Sequence, residues 1–276
     1  SRLTAITVDG SNPTYSSSAD GIVFNKDKTK LVRYPSGKAG NFTIPAGVTQ
    51  LEPGAFQGTP GLTGVTIPVG VTSIPDAAFN GCAQLASVTI PDSVTSIGAW
   101  AFGDCPGLKE FTIPKGVTTI GGGAFHGCTG LTSASIPANV TEVGWMAFGH
   151  CYGITSISLA NGVAALGDYA FYYCTSLTKI SIPASVKSIG VNPFRCCFLL
   201  DSITVDASNA AFCSEDGALF DMKKSRLISC PGGKTGYYEI PKSVTTIGGS
   251  AFRGCLKLST VMLPDGVTDL ERRAFK

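Results

Sequence analysis

The sequence predicts an α/β solenoid in which short parallel strands stack one per coil, with short helical or 3₁₀ segments on the convex side and two β-hairpin insertions. Three observations support this prediction: a strict repeat, a proline that ends each strand, and a hairpin motif that occurs twice. Phenylalanine recurs every 23 residues from Phe56 to Phe194, and the spacing resumes between Phe252 and Phe275. Such a period is typical of solenoids, whose units bury apolar residues only against neighbouring units. We therefore expect residues 1–276 to form a single domain.

One unit, Leu85 to Cys105, shows how the period forms a coil. Val88 and Ile90 alternate with polar residues, which predicts a short strand with one buried face. Pro91 ends this strand because proline cannot donate to a sheet ladder. A second, poorer extended stretch follows in SVTSIG. The remaining inward residues lie at helical or 3₁₀ spacing: Ala101, Phe102 and Cys105.

Two segments break the period and resemble each other. Each contains two apolar runs around a polar turn, which predicts a β-hairpin, and each returns to the repeat at an Ile-Pro step. The hairpin units span about residues 8–45 and 205–241, and the regular 23-residue coils span about 46–204 and 242–276. Before the first hairpin, Leu3 to Val8 predicts a first strand.

Composition indicates a protein with few charged surface positions. Charged residues make up 14% of the chain and the net charge is +2, which gives no argument for a nucleic-acid partner. No apolar run approaches the roughly 20 residues of a membrane span, so no membrane insertion is expected. The sequence starts at Ser1 without a signal peptide, and we interpret it as a trimmed mature fragment.

Seven cysteines occupy one position of the repeat, three residues after its phenylalanine. They are Cys82, Cys105, Cys128, Cys151, Cys174, Cys197 and Cys255. Thiols are among the most buried side chains, and parallel stacking points their Cβ atoms the same way, which suits a disulfide badly. We predict a ladder of reduced, buried thiols. No CxxC pair is present, so we expect no zinc site and no cofactor.

Three cysteines lie outside this ladder. Cys213 and Cys230 flank the second hairpin, where the first hairpin has Ser16 and Tyr34. Two interpretations are open: a disulfide that closes a loop of about 17 residues, or two free thiols. Cys196 has no evident mate.

A catalytic function has little support in the sequence. It contains no GxSxG, P-loop, GxGxxG or HExxH motif, so we expect no enzymatic activity. His126 and His150 lie one coil apart but one position out of phase, and we predict surface turn residues rather than a metal or acid-base pair. The three glycines at 121–123 are interpreted as a tolerant turn rather than a phosphate cradle.

The strand face is the first candidate binding surface. A column of hydroxyl side chains lies between the buried strand residues: Thr66, Thr89, Thr112, Ser135, Ser158, Ser181 and Thr204. The neighbouring column includes Glu110 and Lys179 and is mostly small and uncharged. A flat polar face suits a protein or glycan better than a small molecule. The alternative is that Thr and Ser are simply favourable exposed strand residues.

Two further surfaces are candidates. Trp100, Met146 and Tyr169 share one column at the start of the Phe segment, with Trp145 beside it; they form either an interface or a cover for the convex side. Nine cations lie in the hairpin units and either attract an acidic partner or protect strand edges. They are Lys26, Lys28, Lys30, Arg33, Lys38, Lys223, Lys224, Arg226 and Lys234.

The repeated pattern L-x-x-[VI]-x-[IV]-P-x-x-V-x-x-I-G-x-x-A-F-x-x-C, interrupted by a DG-[IA]-[VL]-F hairpin, resembles the BspA-like leucine-rich repeat proteins over essentially the whole chain. This resemblance implies a right-handed leucine-rich-repeat solenoid on a bacterial or protist cell surface. It also implies secretion and adhesion to host extracellular proteins or other cells.

Two functions follow from these observations. The favoured one is a non-enzymatic adhesion or recognition module that binds a protein or glycan on another cell or in the extracellular matrix. The alternative is a structural spacer or self-assembling surface-layer element without an external ligand. The last unit stops at Ala274 to Lys276, within a coil. We therefore expect a truncated array and weak end-to-end self-association through its open end.

Overall fold

The computed structural model describes residues 2–276, which contain 24 short strands and no helix. The strands of the first half are β1 (Tyr15–Ser17), β2 (Val23–Asn25), β3 (Lys30–Arg33), β4 (Gly40–Thr43), β5 (Gln50–Leu51), β6 (Leu62–Thr66), β7 (Ser73–Ile74), β8 (Ser87–Thr89), β9 (Ser96–Ile97), β10 (Thr119–Ile120), β11 (Ser133–Ile136) and β12 (Glu142–Val143). Those of the second half are β13 (Ser156–Leu159), β14 (Ala165–Leu166), β15 (Lys179–Ile182), β16 (Ser188–Ile189), β17 (Ser202–Val205), β18 (Phe212–Glu215), β19 (Ala218–Asp221), β20 (Arg226–Ser229), β21 (Thr235–Glu239), β22 (Thr246–Ile247), β23 (Lys257–Met262) and β24 (Asp269–Leu270).

Successive coils stack in parallel and in repeat register, which makes the chain a parallel β-solenoid. Most regular coils contribute two strands rather than the predicted one, because the poorer extended stretch also pairs. The first strands form β4-β6-β8 and β11-β13-β15-β17, and the second strands form a six-stranded sheet from β7 to β16. Ser96 pairs with both Ser73 and Thr119, the residues 23 positions away on either side.

The Phe segment is a turn, so the prediction of a helical or 3₁₀ segment was wrong. In one coil Gly103 N donates to Trp100 O at 3.0 Å, but the Phe102 amide donates to Ala124 O of the next coil at 2.7 Å. A helix needs successive amides to bond along their own chain. Here alternate amides bond between coils, which holds the solenoid together and stops any helix from propagating.

Two expected strands are missing from the structure. Residues 2–9 form no strand, although the similar residues 202–205 form β17 by pairing with β15. The coil containing Thr112 also has no first strand, and this gap divides the first-strand column into two sheets. In that coil Phe111 occupies the inward position held by Val88 and Ala134 in the adjacent coils. Its ring contacts Phe102 and Phe125.

The phenylalanine spine forms the centre of the core, as predicted. From Phe56 to Phe194 each ring stacks on the next, with ring centroids 4.9–5.9 Å apart and interplanar angles of 20° or less. All seven side chains are buried. Their alignment explains the fixed period, since an insertion would move a ring out of the stack.

The cysteine ladder is also confirmed, with Cys255 less buried than the other six members. Each of those six thiols donates to the carbonyl of a phenylalanine in the preceding coil, for example Cys128 to Phe102 O at 3.1 Å. Burial raises the pKa of Cys82 and Cys128 to about 12. These thiols therefore stay protonated, which their donor role requires.

Each hairpin unit is an antiparallel three-stranded sheet, β1-β2-β3 or β18-β19-β20, that continues in parallel into β5 or β22. At the second unit the core divides, with one cluster ending at Leu219 and another running from Ala218 to Ala274. All ten cysteines are free. Cys213 Sγ donates to Asp221 O at 3.2 Å, whereas Cys230 lies beside Cys255, so Cys213 and Cys230 do not pair.

Candidate binding surface

Aromatic and imidazole rings form a continuous surface along the Phe-segment turns of five successive coils. We call this surface the aromatic ridge. Its members are Trp100, His126, Trp145, His150, Tyr152, Tyr169, Tyr172, Tyr173 and Phe198, with Arg195 packed on two of the rings. The surface is continuous because Trp100, His126, His150, Tyr173 and Phe198 contact one another in that order, and every other ring contacts one of the set. The ridge includes three of the four residues predicted as an aromatic patch.

The turn geometry places these side chains on the surface. Each Phe segment from Phe56 to Phe252 has left-handed residues two positions before and two positions after its phenylalanine. Glycine occupies the first position in some coils, at Gly54 and Gly123, but Trp100, Met146 and Tyr169 occupy it in others, with φ of 49–56°. Left-handed backbone costs a non-glycine residue about 1–2 kcal/mol. Bulky side chains at such positions motivate a functional hypothesis.

Two tryptophans form the N-terminal end of the ridge. Trp100 lies 4.8 Å from His126 and 6.4 Å from Trp145 between ring centroids. Trp145 keeps 46% of its surface exposed. A Cβ atom on Gly123 would lie 2.8 Å from Trp100 Cε2. Gly123, the last of the three glycines at 121–123, therefore makes room for the Trp100 ring.

His150 connects the centre of the ridge. Its ring stacks on Tyr173 with centroids 5.1 Å apart and an interplanar angle of 6°, and it meets Tyr172 edge-on at 5.1 Å. Its Nδ1 lies 2.7 Å from the hydroxyl of Tyr152. Tyr152 is 43% exposed. The contact fixes an exposed phenol ring in one orientation.

Arg195 forms the far end of the ridge. Its guanidinium carbon lies 5.0 Å from the ring centroid of Tyr172 and 5.7 Å from that of Tyr169. Its buried Nε has no hydrogen-bond acceptor within residues 2–276. Cation–π contact therefore holds the guanidinium in place, and such arginines contribute strongly to protein interfaces.

The two histidines are half-buried ring partners rather than simple surface turn residues. Their centroids are 4.9 Å apart. Burial lowers the pKa of His126 from its ordinary value of 6.5, the neighbouring His150 lowers it further, and Asp104 opposes both effects. Burial also lowers the pKa of His150. The ridge therefore carries little positive charge from imidazole near neutral pH. Within the described residues 2–276, no group of three potential ligands could hold a metal ion.

The hydroxyl column of the strand face is exposed at all seven positions. Paired strands align Thr66 with Thr89 and Ser135 with Ser158. Glu110 and Lys179 are exposed as well, three coils apart. The column is thus regular and open, but the missing strand at Thr112 interrupts its backbone pairing. Its side chains make few contacts that would fix them in one orientation.

Most hairpin cations are bound within the chain. Lys38 donates to Asp20 O at 2.9 Å, and Lys234 pairs with Asp216. Other cations form ion pairs with neighbouring coils: Lys30 with Glu52, and Arg226 with Glu271. Their main role is therefore to hold each hairpin unit together and to join it to the adjacent coils. This agrees better with the structural interpretation than with a free basic patch.

A cleft of about 390 Å³ lies where the second hairpin interrupts the second-strand column. Its charged wall consists of Asp168, Asp221, Arg226 and Glu271. Arg226 Nη2 lies 2.7 Å from Glu271 Oε2, and this bond lowers the pKa of Glu271. Asp168 accepts a bond from the Val191 amide and Asp221 accepts bonds from Ser225 and the Arg226 amide, so each of these side chains already has a partner within the protein. Nothing in the sequence pattern predicted this cleft, because it arises from the break between two sheets.

The ridge was only partly predictable from the sequence. Trp100, Met146 and Tyr169 share a repeat column, as predicted, and Trp145 lies next to it. His126, His150 and Tyr173 belong to two other columns, which follow the phenylalanine by one or two residues. The signal in the sequence is that rings replace glycine in these columns: His126 and Tyr172 stand where neighbouring coils have Gly103 and Gly149, and His150 and Tyr173 stand where other coils have Gly81 and Gly127.

No helix in residues 2–276 is long and apolar enough to cross a membrane.

The chain matches the model of the BspA type leucine-rich repeat region over residues 34–121, 101–216 and 233–276. A leucine-rich cell surface protein from Faecalibacterium prausnitzii is similar, with 32% identity and a TM-score of 0.82 over 95% of this chain and 73% of that protein. A leucine-rich repeat protein from Eubacterium ventriosum shows 27% identity and a TM-score of 0.58 over 95% and 62% of the two chains. The pneumococcal vaccine antigen PcpA shares the fold at 20% identity, with a TM-score of 0.68 over 99% and 68%. No curated protein sequence matches.

Proposed function

Because the chain belongs to the BspA type leucine-rich repeat family, we propose that it is a non-enzymatic recognition module that binds a protein partner at the cell surface through the aromatic ridge. The carrying observation is the ridge itself. Tyr, Trp and Arg are the residue types that dominate binding energy at protein interfaces. Here they form one contiguous surface and not scattered positions.

Preorganisation supports this assignment. Ring stacking, the His150 contact to Tyr152 and the cation–π contacts of Arg195 fix the ridge before any partner binds. Ordering a flexible side chain at an interface costs about 0.5–1.5 kcal/mol. A ridge whose side chains are already ordered avoids much of this cost. The hydroxyl column lacks comparable internal contacts, so we assign it a secondary role.

The shape of the surface favours a protein over a small molecule. Small-molecule sites are concave and bury most of their ligand, whereas the ridge projects from the turns of the coils. Exposed rings with polar tips at Tyr152 and Trp145 also suit glycans, which are the second candidate partner. The cell surface protein from F. prausnitzii supports placement of this chain at a cell surface, and so does the family.

An array of extracellular-matrix proteins, host cell-surface proteins and glycans tests this function. The purified chain should bind a restricted set of proteins. A triple variant, Trp145→Ser with Tyr152→Ser and Tyr172→Ser, should lose those partners while its circular dichroism melting curve stays close to that of the parent. A chain that binds nothing on the array would refute recognition and favour the structural spacer.

The matched control is a triple variant of the hydroxyl column, Thr89→Ala with Ser135→Ala and Ser158→Ala. Its side chains are exposed and lie in some of the same coils. This control variant should bind the same array partners as the parent. Loss of binding in this control alone would move the site to the strand face.

A further inference from the structure

The two hairpin units are joined to the coils that follow them by different side chains. In both units the residue after the third hairpin strand donates its amide to an alanine carbonyl of the next coil, Tyr34 to Ala55 and Cys230 to Ala251, each at 2.8 Å. In the first unit the Tyr34 ring also contacts the ring of Phe56 in that coil, with centroids 5.0 Å apart. Cys230 has no ring, so the second unit lacks this aromatic contact.

The core is also divided at the second hairpin unit. The phenylalanine stack that starts at Phe56 runs to Phe194, and Phe252 begins a separate stack with Phe275. Cys230 is buried in the second core cluster, and Cys255 packs against that cluster. The second joint between a hairpin unit and a coil is therefore held without the ring contact that supports the first.

Cys255 brings a second thiol to this joint. Its Sγ lies 3.6 Å from Cys230 O and 3.5 Å from Pro231 O. The other six ladder thiols donate to phenylalanine carbonyls at 3.1–3.2 Å, so the contacts of Cys255 are both different and longer. A hydrogen bond between the two thiols raises the pKa of Cys230, and burial raises it further. The two sulfur atoms therefore face each other.

The geometry that disfavours disulfides within the cysteine ladder does not apply to this pair. Ladder neighbours such as Cys105 and Cys128 occupy the same position of successive coils, so their Cβ atoms point the same way. Cys230 and Cys255 are 25 residues apart and occupy different positions. Cys255 follows a repeat phenylalanine, whereas Cys230 follows the last strand of a hairpin unit. Their side chains can therefore approach from two directions, as a disulfide requires.

We propose that Cys230 and Cys255 form a disulfide by exchange with a low-molecular-weight disulfide such as oxidised glutathione. The thiolate of one cysteine attacks a sulfur of the small disulfide, forms a mixed disulfide and releases one small thiolate. The thiolate of the other cysteine then attacks the protein sulfur of the mixed disulfide and releases the second small thiolate. Two protein thiols are oxidised, one small disulfide is reduced, and the two protons pass to the released thiolates. The bond joins the second hairpin unit to the next coil and is independent of the aromatic ridge.

Peptide mapping after equilibration with glutathione tests the proposal. The reduced chain, both as the folded protein and during refolding from urea, is equilibrated with increasing ratios of oxidised to reduced glutathione. Free thiols are then alkylated and the chain is digested with trypsin. Trypsin places the two cysteines on separate peptides, residues 227–234 and 254–257. Mass spectrometry should find these two peptides linked without reductant and separate after reduction.

The matched control is Cys213→Ser, which removes another thiol of the same hairpin unit and should form the bond as readily as the parent. In both chains the bond should raise the thermal midpoint by roughly 5 °C over that in reducing buffer. Cys230→Ser should have the same midpoint in both buffers. Ten free thiols at every glutathione ratio, a bond from Cys213 to Cys230, or equal midpoints for the oxidised and reduced parent would overturn the proposal.

Discussion

Replacing Phe125 with alanine should lower the free energy of unfolding by about 5 kcal/mol. Phe125 is fully buried, and Phe→Ala in a core costs about 3–5 kcal/mol. Its ring stacks on Phe102 at 5.5 Å and on Phe148 at 5.0 Å, and it meets Phe111 edge-on at 4.7 Å. Aromatic pairs add about 0.5–1.5 kcal/mol each beyond burial. Three such pairs place the loss at the upper end of the range.

Urea denaturation followed by circular dichroism measures this loss. The matched control is Phe275→Ala at the end of the spine. Phe275 is 47% exposed and stacks only on Phe252, at 4.8 Å. Half-burial of a phenylalanine is worth about 1 kcal/mol, so the control should cost far less. An equal cost at both positions, or a parent-like midpoint for Phe125→Ala, would refute the stacked spine as the source of stability.

Three further substitutions test other parts of the structure. Asn209→Asp should lower the unfolding free energy by about 3 kcal/mol in urea because it leaves a buried charge facing two carbonyls. Asn12→Asp, at the equivalent position of the first hairpin unit, should change it little, and equal effects at the two positions would contradict this role of the Asn209 amide. Thr59→Cys should stabilise the protein by about 1 kcal/mol and raise the thermal midpoint, since the buried Thr59 Oγ1 has no hydrogen-bond partner in residues 2–276. An unchanged or lower midpoint would contradict this prediction. The free energy of unfolding should fall as the pH drops below about 6.5. The pKa values of His126 and His150 are lowered in the folded protein, so the unfolded chain binds more protons in this pH range. His126→Gln should make the stability less dependent on pH, and an unchanged pH dependence would exclude His126 as a cause.

The sequence predicted the features that depend on which residues face inward. The phenylalanine spine and the cysteine ladder repeat with the coil, so their period reveals their burial directly. The repeat could not show whether the Phe segment forms a helix or a turn. Ala101, Phe102 and Cys105 have the same spacing in either structure, and what distinguishes them is the acceptor of the Phe102 amide, which lies on the next coil.

Neighbouring coils also decide the features that were missed. Residues 3–8 and 200–205 have similar patterns, yet only the second segment pairs as a strand because β15 lies beside it. The aromatic ridge likewise combines three repeat columns through contacts such as His126 with His150. Any one of these repeat columns contains only part of the aromatic ridge. Lateral packing between coils, and not local propensity, assembles it.

The assignment of the aromatic ridge as the binding surface is tested most directly by comparing the affinity of the parent and its two triple variants for one array partner. Biolayer interferometry should be performed with the parent, the ridge triple variant and the hydroxyl-column triple variant against the strongest protein partner found. Truncating central aromatic residues of an interface typically costs about 2 kcal/mol or more. The ridge variant should therefore bind at least about 30-fold more weakly, and the hydroxyl-column variant should bind like the parent. Unchanged affinity in the ridge variant, with its fold intact, would contradict the assignment of the aromatic ridge as the binding surface.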